Sequence, residues 1–439
     1  MAKKILIMGA GGKDFHVFNT LYRDNPDYQL VAFTAAQIPG IDKRTYPAQL
    51  AGKLYPQGIP ILPERDMPEI VKENKVDLVI FAYSDVTYDY IKERERLARQ
   101  AGADFITPPP LDTMLKSQKP VVSVCAVRTG AGKSPVSRYV VKILNEKGKK
   151  VGVVRHPMPY GDLALQEVQK FVTIEDMKQH DCTIEEMEEY EPHIENGAVI
   201  FVGVDNIKLL KELEKESDII LWDGGNNDLP FFKPDVHIVI ADALRPGHEV
   251  TYYPGFENFR LANIIIISKV DQAKPEDIAV IEKNISKHNP EAVVLRSKLR
   301  VTVADQSMIK GKRVLVVEDG PTTTHGGMKF GAGVVAARNF GAKEMIDPRP
   351  FVVGTIKETF EHYKTIGTLL PAVGYSHNQV ADLEKTINAT DAETVIIATP
   401  IDLTRIIKIN KPTVRVNYEF EETGTPLLKD VLPSMLGIA

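Results

Sequence analysis

The sequence has few cysteines, a single tryptophan and no long apolar run. Two cysteines, Cys125 and Cys182, are too few for a disulfide framework or for a zinc site of cysteines alone. No apolar stretch reaches the ~18 residues of a membrane-spanning helix, and the N-terminus does not resemble a signal peptide. Cys125 stands in an apolar run, where we expect a buried side chain. These absences predict a cytoplasmic protein that has no membrane partner.

The sequence also lacks an excess of basic charge. Its 54 Lys and Arg residues are outnumbered by 59 Asp and Glu residues, which gives a net charge of −5. Without a basic footprint, nucleic acid is not an expected partner. The 43% hydrophobic and 26% charged residues are typical of a globular protein, and 439 residues are too many for one core. We therefore expect several globular domains.

Residues 120–144 carry the clearest functional signal. An apolar, β-branched run at 121–126 leads into a glycine-rich turn, and an amphipathic helix follows. Such a strand, turn and helix N-terminus form an anion site, because backbone N–H groups and the helix dipole converge on one point. The residues that we expect to bind nucleotide phosphates are Thr129, Gly130, Ala131, Gly132, Lys133 and Ser134.

Individual residues of this P-loop have separate expected roles. Lys133 is expected to reach the β- and γ-phosphates, and the Ser134 hydroxyl to bind Mg²⁺. Val127 occupies the place of the usual first glycine. Arg128 follows it, as in variant P-loops that carry a basic residue inside the loop. We count Lys133 and Arg128 among the catalytic candidates.

Two later strands end in residues that suit a phosphoryl-transfer site. An apolar strand at 219–222 ends at Asp223, which is followed by two glycines. This arrangement is typical of an aspartate that supports Mg²⁺ beside the γ-phosphate. The next strand, at 236–241, precedes Arg245 and His248, which are candidates for stabilising transferred charge. Asp223, Arg245 and His248 complete the catalytic set, and Ser134 and Asp223 form the metal set.

A base-recognition motif follows a buried strand at 263–267. Ser268, Lys269 and Asp271 resemble the Asn/Thr-Lys-x-Asp motif of GTP-binding proteins. A carboxylate at the position of Asp271 can accept two hydrogen bonds from guanine, whereas adenine presents an acceptor at N1. The motif therefore favours GTP, although serine replaces its usual first residue.

The first 118 residues alternate strands and helices, which predicts a parallel, Rossmann-like sheet. Strands are expected at 4–8, 30–34, 77–82 and 104–106. The glycine loop at 9–12 does not fit the GxGxxG spacing, and the second strand has no acidic residue at its end, so NAD is not expected. The loops instead carry basic residues suited to a small polyanion, namely Lys13, His16, Arg23, Lys43 and Arg44.

The last third of the chain continues the α/β pattern. Strands are expected at 313–318, 351–353, 394–398 and 413–416. A loop after the first of them contains His325, Gly326 and Gly327, and a helix begins near residue 334. Because a helix N-terminus can hold an anion, we expect these three residues to bind substrate.

The predicted fold class is α/β, with three parts. An N-terminal Rossmann-like domain spans residues 1–118 and holds the anionic substrate. A central P-loop NTPase domain with a parallel sheet spans 119–300. A C-terminal α/β segment spans 301–439, and one alternative is that it packs with the P-loop domain.

Several long motifs resemble one known family, the cyclic 2,3-diphosphoglycerate synthetases, also called predicted P-loop GTPases. They are GAGGKDFHVFNTLYRDNP, AFTAAQIPGI, CTIEEMEEYEPHI, ADALRPGHE and VEDGPTTTHGGM. The resemblance covers nearly the whole chain. It implies ATP-driven formation of an intramolecular phosphoanhydride, whereas the residues at 268–271 favour GTP.

These observations leave alternative functions open. The first is a ligase that uses Mg²⁺ and ATP or GTP to transfer a γ-phosphoryl group to a phosphorylated small-molecule acceptor. The second is a regulatory or metallochaperone GTPase that controls a partner protein, and the third is a nucleotide-binding scaffold without turnover. The basic loops of the first segment favour the ligase. The oligomeric state stays open, with a homodimer as one alternative.

Overall fold

The computed structural model describes residues 2–36, 41, 44–155, 161–225, 228–324, 326–373, 377–400 and 402–438, without the side chains of Ile184, Glu185 and His377. Within these residues the chain forms a mixed α/β structure with two large, mainly parallel sheets. Short apolar runs form the strands, because both faces of a parallel sheet are covered by helices. No described helix has the length and apolar character of a membrane span.

The first sheet contains six described strands in the order β3-β4-β2-β1-β5-β7. All neighbours are parallel except β3 and β4, as the alternating pattern predicts. The strands of this part of the chain are β1 (Lys3–Met8), β2 (Tyr28–Ala35), β3 (Thr45–Tyr46), β4 (Ile59–Pro63), β5 (Leu78–Phe81), β6 (Val86–Thr87) and β7 (Asp104–Ile106). Its helices are α1 (Lys13–Val17), α2 (Ala48–Ala51), α3 (Met67–Asn74) and α4 (Tyr88–Ala101), with a π-helical segment at Phe18–Tyr22 and 3₁₀ turns at Glu64–Asp66 and Pro110–Thr113.

The second sheet begins with the P-loop strand and extends almost to the C-terminus. Its first strands are β8 (Val121–Ala126), β9 (Val151–Arg155), β10 (Gln169–Phe171), β11 (Val199–Val202), β12 (Ile219–Trp222), β13 (Val236–Asp242), β15 (Ile264–Ser268) and β16 (Val293–Val303), while β14 (Tyr252–Tyr253) pairs with β6. The helices are α5 (Lys133–Glu146), α6 (Ile174–Gln179), α7 (Ile184–Glu195), α8 (Asn206–Glu216), α9 (His248–Thr251), α10 (Gly255–Leu261) and α11 (Pro275–His288). Capping boxes begin α6, at Thr173 with Asp176, and α7, at Thr183 with Glu186.

The final segment adds its strands to the same sheet. They are β17 (Arg313–Asp319), β18 (Glu344–Met345), β19 (Leu370–Ala372), β20 (Thr394–Ala398) and β21 (Thr413–Thr423). Its helices are α12 (Gly320–Thr323), α13 (Ala332–Asn339), α14 (Gly354–His362), α15 (His377–Ala389) and α16 (Leu428–Met435), with 3₁₀ turns at Gln306–Met308, Arg349–Phe351 and Leu403–Arg405. Thirteen described strands make up the combined sheet.

Two features of this segment differ from the sequence expectations. The predicted strand at 351–353 is wrong, because Arg349–Phe351 is a 3₁₀ turn and α14 begins at Gly354. Pro350 lies in that turn, and proline lacks the N–H group that a strand ladder needs. The expected boundary at residue 300 falls inside β16, whose residues 296–303 pair antiparallel with β21. One sheet therefore joins the central and final segments.

Candidate active site

The P-loop connects β8 to α5 at the carboxyl edge of the large sheet. Gly130 and Gly132 have φ values of 77° and 106°, in the left-handed region that glycine adopts without strain. Lys133 and Ser134 begin the helix and line a cavity of about 1000 Å³. The strand, turn and helix thus place all of the predicted phosphate-binding residues except Ala131 along the wall of a large cavity.

Three side chains hold the P-loop carbonyl groups. Arg245 donates to the Thr129 oxygen at 2.8 Å, Lys269 to the Gly130 oxygen at 2.6 Å and Ser268 to the Ala131 oxygen at 2.6 Å. A trans peptide points its N–H group away from its own carbonyl oxygen. Fixing these carbonyls therefore turns the amide groups of the following residues to the opposite side, as an anion-binding loop requires.

Asp223 forms the centre of a buried charge network behind the P-loop. Its Oδ1 accepts hydrogen bonds from Lys133 at 2.5 Å and Ser137 at 2.8 Å. Its Oδ2 accepts from Arg155 at 2.7 Å and from His193 Nε2 at 2.8 Å. Burial alone would raise the pKa of Asp223, but Lys133 and Arg155 hold it well below the usual value. Asp223 is therefore an anion that receives four donors.

This network bears on the expected Mg²⁺ site. The Ser134 hydroxyl is exposed at the cavity wall and suits a magnesium ligand. Asp223 offers no oxygen that is free of donors, so it fits the metal only after a donor such as Lys133 has moved to the phosphates. No group of three or more His, Cys, Asp or Glu residues with metal-site geometry occurs within the described ranges.

Arg128 connects the P-loop to the first segment. Its Nε donates to Asp85 at 2.6 Å, and its guanidinium lies 3.7 Å from the centre of the Tyr252 ring. Asp85 has a left-handed φ of 58° and also accepts from the Thr129 hydroxyl at 2.8 Å. His248 Nδ1 lies 3.1 Å from Arg128 Nη1 and accepts its hydrogen. A carboxylate of the first segment thus restrains the loop that holds the nucleotide.

His248 and Arg245 have roles other than direct contact with the cavity. Burial and the charges of Arg128 and Arg245 lower the pKa of His248 to about 4, so its ring is neutral near pH 7. Arg245 donates hydrogen bonds to Asp242 and to the Thr129 oxygen of the P-loop. It also donates to the Gly326 oxygen at 2.7 Å. Neither side chain is among the described residues that line the cavity. Both lie behind the loop, where they support it.

Of the described basic residues that are expected to bind a polyanion, only Lys13 lines the cavity. Lys13 reaches the cavity wall and donates to the Tyr253 hydroxyl at 3.0 Å. His16 is buried, donates to the Thr113 oxygen at 2.7 Å and has a pKa lowered to about 4 by burial. Arg23 pairs with Asp205 at 2.8 Å, and Arg44 donates to the Gly161 oxygen. Lys43 lies outside the described residues.

An aspartate occupies the glycine loop of the first segment. The Asp14 carboxylate accepts from the amide groups of Gly11 at 2.9 Å, Gly12 at 3.1 Å and Phe15 at 2.7 Å. Burial raises its pKa to about 6, although the amide hydrogen bonds oppose the rise. These amides already hold an anion of the protein itself. Asp14 lies in the first turn of α1, so the sequence GAGGKD does not show that its carboxylate accepts from the glycine loop.

The expected substrate loop of the last segment lies against the P-loop. A Cβ placed on Gly130 would lie 3.0 Å from the Thr322 side chain and 3.4 Å from Met328. Gly326 lies beside Thr129, and Gly327 has a left-handed φ of 65°. His325 lies outside the described residues. The loop thus brings the end of β17 close to the nucleotide site.

The Asp271 side chain is exposed and is not among the described residues of the cavity wall, whereas Lys269 and Gln272 are. Lys269 is buried, has a left-handed φ of 60° and pairs with Asp242 at 3.0 Å. Ser268 and Lys269 therefore support the P-loop, and the base-recognition role of Asp271 stays a prediction.

Acidic side chains outnumber basic ones along the described cavity wall. The carboxylates are Asp14, Asp85, Glu188, Glu189, Asp228, Glu318, Asp319 and Glu358. The Lys and Arg side chains are Lys13, Arg128, Lys133, Arg155 and Lys269. The basic groups border the P-loop, and several acids come from α7, β17 and α14. No sequence motif relates these acids, because they come from segments that lie far apart in the chain.

Comparison with known proteins gives matches at several levels. Residues 195–298 match the family model of the P-loop domain of cyclic 2,3-diphosphoglycerate synthetase. An arginine synthetase, ArcE, from Thermococcus kodakarensis is 57% identical over 98% of this chain and 96% of its own length. A cyclic 2,3-diphosphoglycerate synthetase from Thermococcus sibiricus is 24% identical over 58% of this chain and 64% of its length.

Two more distant matches were also found. A cyclic 2,3-diphosphoglycerate synthetase from Thermococcus kodakarensis is 26% identical over 51% of this chain and 56% of its own. Among solved structures, LpxK from Aquifex aeolicus in complex with ATP is 12% identical, with a TM-score of 0.44 over 79% of this chain and 95% of LpxK. The chain is a P-loop enzyme that uses a nucleoside triphosphate for synthesis, and it belongs to the cyclic 2,3-diphosphoglycerate synthetase family.

Proposed function

We propose that this protein is an ATP-dependent synthetase that forms arginine. The observation that carries the proposal is the acidic wall of the cavity, which continues from the P-loop lysine to Glu318, Asp319 and Glu358. Amino and guanidinium groups are bound by carboxylates, whereas a polyanion would be repelled by them. The 57% identity to a protein named arginine synthetase supports the same substrate class.

Each part of the site has a distinct task in such a reaction. The P-loop amides and Lys133 hold the triphosphate and stabilise the charge that develops during phosphoryl transfer. Mg²⁺, with Ser134 as its protein ligand, would neutralise the phosphate oxygens. The network of Asp223, Arg155 and His193 keeps Lys133 in place before nucleotide binds. The transferred phosphoryl group activates a carbon–oxygen bond of the precursor for replacement by nitrogen.

A phosphorylated acid is the second candidate substrate. The relatives named cyclic 2,3-diphosphoglycerate synthetases favour it, but they are only 24% and 26% identical to this chain. Three of the basic residues expected to bind such an acid, His16, Arg23 and Arg44, already have other partners. The contacts of the first segment therefore favour the cationic substrate.

The proposed function can be tested without knowing the precursor, because a synthetase also runs in reverse. The wild-type protein is incubated with arginine, ADP, phosphate and Mg²⁺, and the ATP that forms is measured. We expect ATP formation to depend on arginine and to be absent when lysine replaces it. Absence of arginine-dependent ATP, together with ATP hydrolysis stimulated by 2,3-diphosphoglycerate, would instead establish the second candidate.

Nucleotide choice gives a separate prediction. We expect ATP to be preferred and Asp271→Asn to change turnover less than about twofold, because the carboxylate is exposed outside the described cavity wall. If Asp271 reads guanine, the same change should weaken GTP binding by ~10–100-fold, the effect of a lost charged hydrogen bond of ~1.5–3 kcal/mol. Binding of ATP and GTP is measured by calorimetry, with the exposed Glu276→Gln as the control. GTP preference that is lost in Asp271→Asn would contradict the choice of ATP.

A further inference from the structure

We propose that Glu318 is a catalytic residue that contacts the substrate and transfers the proton of the nitrogen that joins or leaves the guanidinium carbon. This inference rests on the proposed function. It assigns a role to a residue that lies in the last segment, away from the P-loop motifs.

The position of Glu318 is defined by the strand and helix around it. It is the second-to-last residue of β17, its exposed fraction is only 2%, and it lines the cavity. Its Oε1 accepts hydrogen bonds from the amide groups of Gly331 at 3.1 Å and Val334 at 2.9 Å, at the start of α13. These bonds fix the carboxylate in one orientation.

The second oxygen of this carboxylate is left for a ligand. Among the described residues, none donates a hydrogen bond to Oε2, and no Lys, Arg or His forms an ion pair with Glu318. A Cβ on Gly331 would lie 2.6 Å from Oε2, so glycine keeps the space around this oxygen open. A buried carboxylate without a cation is costly, so Glu318 readily holds a proton that it can pass to a substrate nitrogen.

Other carboxylates near the P-loop already have protein partners. Asp223 receives four donors, Glu189 pairs with Arg155, and Asp319 caps α12 through the Thr322 amide and hydroxyl groups. Asp85 is held by Arg128 and Thr129. Glu318 therefore differs from these groups in lining the cavity with one carboxylate oxygen that has no described donor.

Burial raises the pKa of Glu318 to about 7, the amide hydrogen bonds from α13 oppose the rise, and the charge of Asp319 adds to it. Tyr418 on β21 interacts with Glu318, Asp319, Glu188 on α7 and Arg138 on α5, and Glu358 on α14 shares the cavity wall. A group with a pKa near the working pH can both accept and donate a proton.

The proton transfer balances in both directions. In synthesis, an amine donor forms the new C–N bond while the bond from carbon to the phosphorylated oxygen breaks, and phosphate leaves with that electron pair. Glu318 takes the proton that the attacking nitrogen loses. In reverse, phosphate adds to the guanidinium carbon, the C–N bond breaks, and protonated Glu318 gives its proton to the departing nitrogen.

The test is Glu318→Gln in the arginine-dependent ATP assay. Gln keeps an oxygen acceptor for the α13 amide groups but cannot transfer the proton. We expect turnover to fall by about 10²-fold or more, with nucleotide affinity and melting temperature unchanged. In the reverse direction the protonated form is active, so wild-type kcat/KM should fall as pH rises through about 7. This pH dependence should be absent in Glu318→Gln.

Two further variants separate chemistry from folding. Glu393→Gln is the matched control, because the Glu393 carboxylate accepts from the Arg313 amide group at the opposite end of β17, and it should retain wild-type turnover. Gly331→Ala should displace Oε2 and lower turnover without changing any charge. Wild-type turnover in Glu318→Gln, or in folded Gly331→Ala, would overturn the proposal. A wild-type protein without arginine-dependent turnover would overturn the proposed function as well.

Discussion

Lys133→Ala is expected to lower arginine-dependent turnover by about 10²–10³-fold or more, which is the effect of removing a charged group that stabilises a transition state. Lys133 lines the cavity at the first turn of α5, and its ammonium group is held 2.5 Å from Asp223. No other P-loop side chain offers a charge in this position. Turnover is measured by ATP formation, and nucleotide affinity by calorimetry.

The fold should survive this change. Asp223 keeps hydrogen bonds from Ser137, Arg155 and His193 when Lys133 is removed, so its charge stays paired. Lys142→Ala is the matched control, because Lys142 is exposed on the same helix. Full activity in Lys133→Ala, or an equal loss in Lys142→Ala, would contradict the assignment of the P-loop.

Asp223→Asn is expected to abolish turnover and also to destabilise the protein. The change removes a negative charge that bonds Lys133, Arg155 and His193. Among the described residues, Lys133 and His193 pair with no other carboxylate, whereas Arg155 also pairs with Glu189. Breaking a buried charge pair costs about 3–5 kcal/mol. We expect the melting temperature to fall by roughly 5–15 °C, as measured by circular dichroism.

Asp218→Asn provides the control at the other end of β12. Asp218 accepts a hydrogen bond from the Lys150 amide group in an exposed position, so its replacement should have little effect on melting temperature or turnover. The pKa of Asp223 lies well below its usual value, so its contribution to stability is present above the unfolded pKa and is lost as pH falls. A wild-type melting temperature and a wild-type Mg²⁺ titration in Asp223→Asn would argue against the network.

Local sequence patterns predicted the parts of the fold that depend on neighbouring residues. The apolar run before Gly130 forms β8, and the turn after it opens α5 with Lys133 at its start. The capping box at Thr183 begins α7. Buried parallel strands and capped helices leave a clear local signal, because burial and backbone hydrogen bonding constrain consecutive residues.

Long-range pairing left no comparable signal. Strand β21 was expected at 413–416, but it continues to Thr423 because its charged second half pairs with β16. The donors that surround Asp223 come from α5, β9 and α7, so no spacing in the chain relates them. For the same reason, no sequence pattern indicated a functional role for Glu318, whose amide partners lie 13 and 16 residues further along the chain.

The net charge that the substrate site presents depends on which of its charged side chains are already paired within the protein. Counting basic residues in the first loops suggested a polyanion, yet Arg23 pairs with Asp205 and His16 is buried against Phe231. Asp14 occupies the glycine loop that looked ready for an anion. A charged residue in a sequence does not reveal whether its charge is already compensated in the fold.

Oxygen transfer tests the central claim most directly. The protein is incubated with arginine, ADP, Mg²⁺ and phosphate that carries heavy oxygen, and the products are analysed by mass spectrometry. If the phosphoryl group activates the substrate carbon, ATP forms, and one heavy oxygen passes from phosphate to the carbon that loses nitrogen. ATP formation without label in that product, or no ATP at all, would contradict the proposed synthesis of arginine.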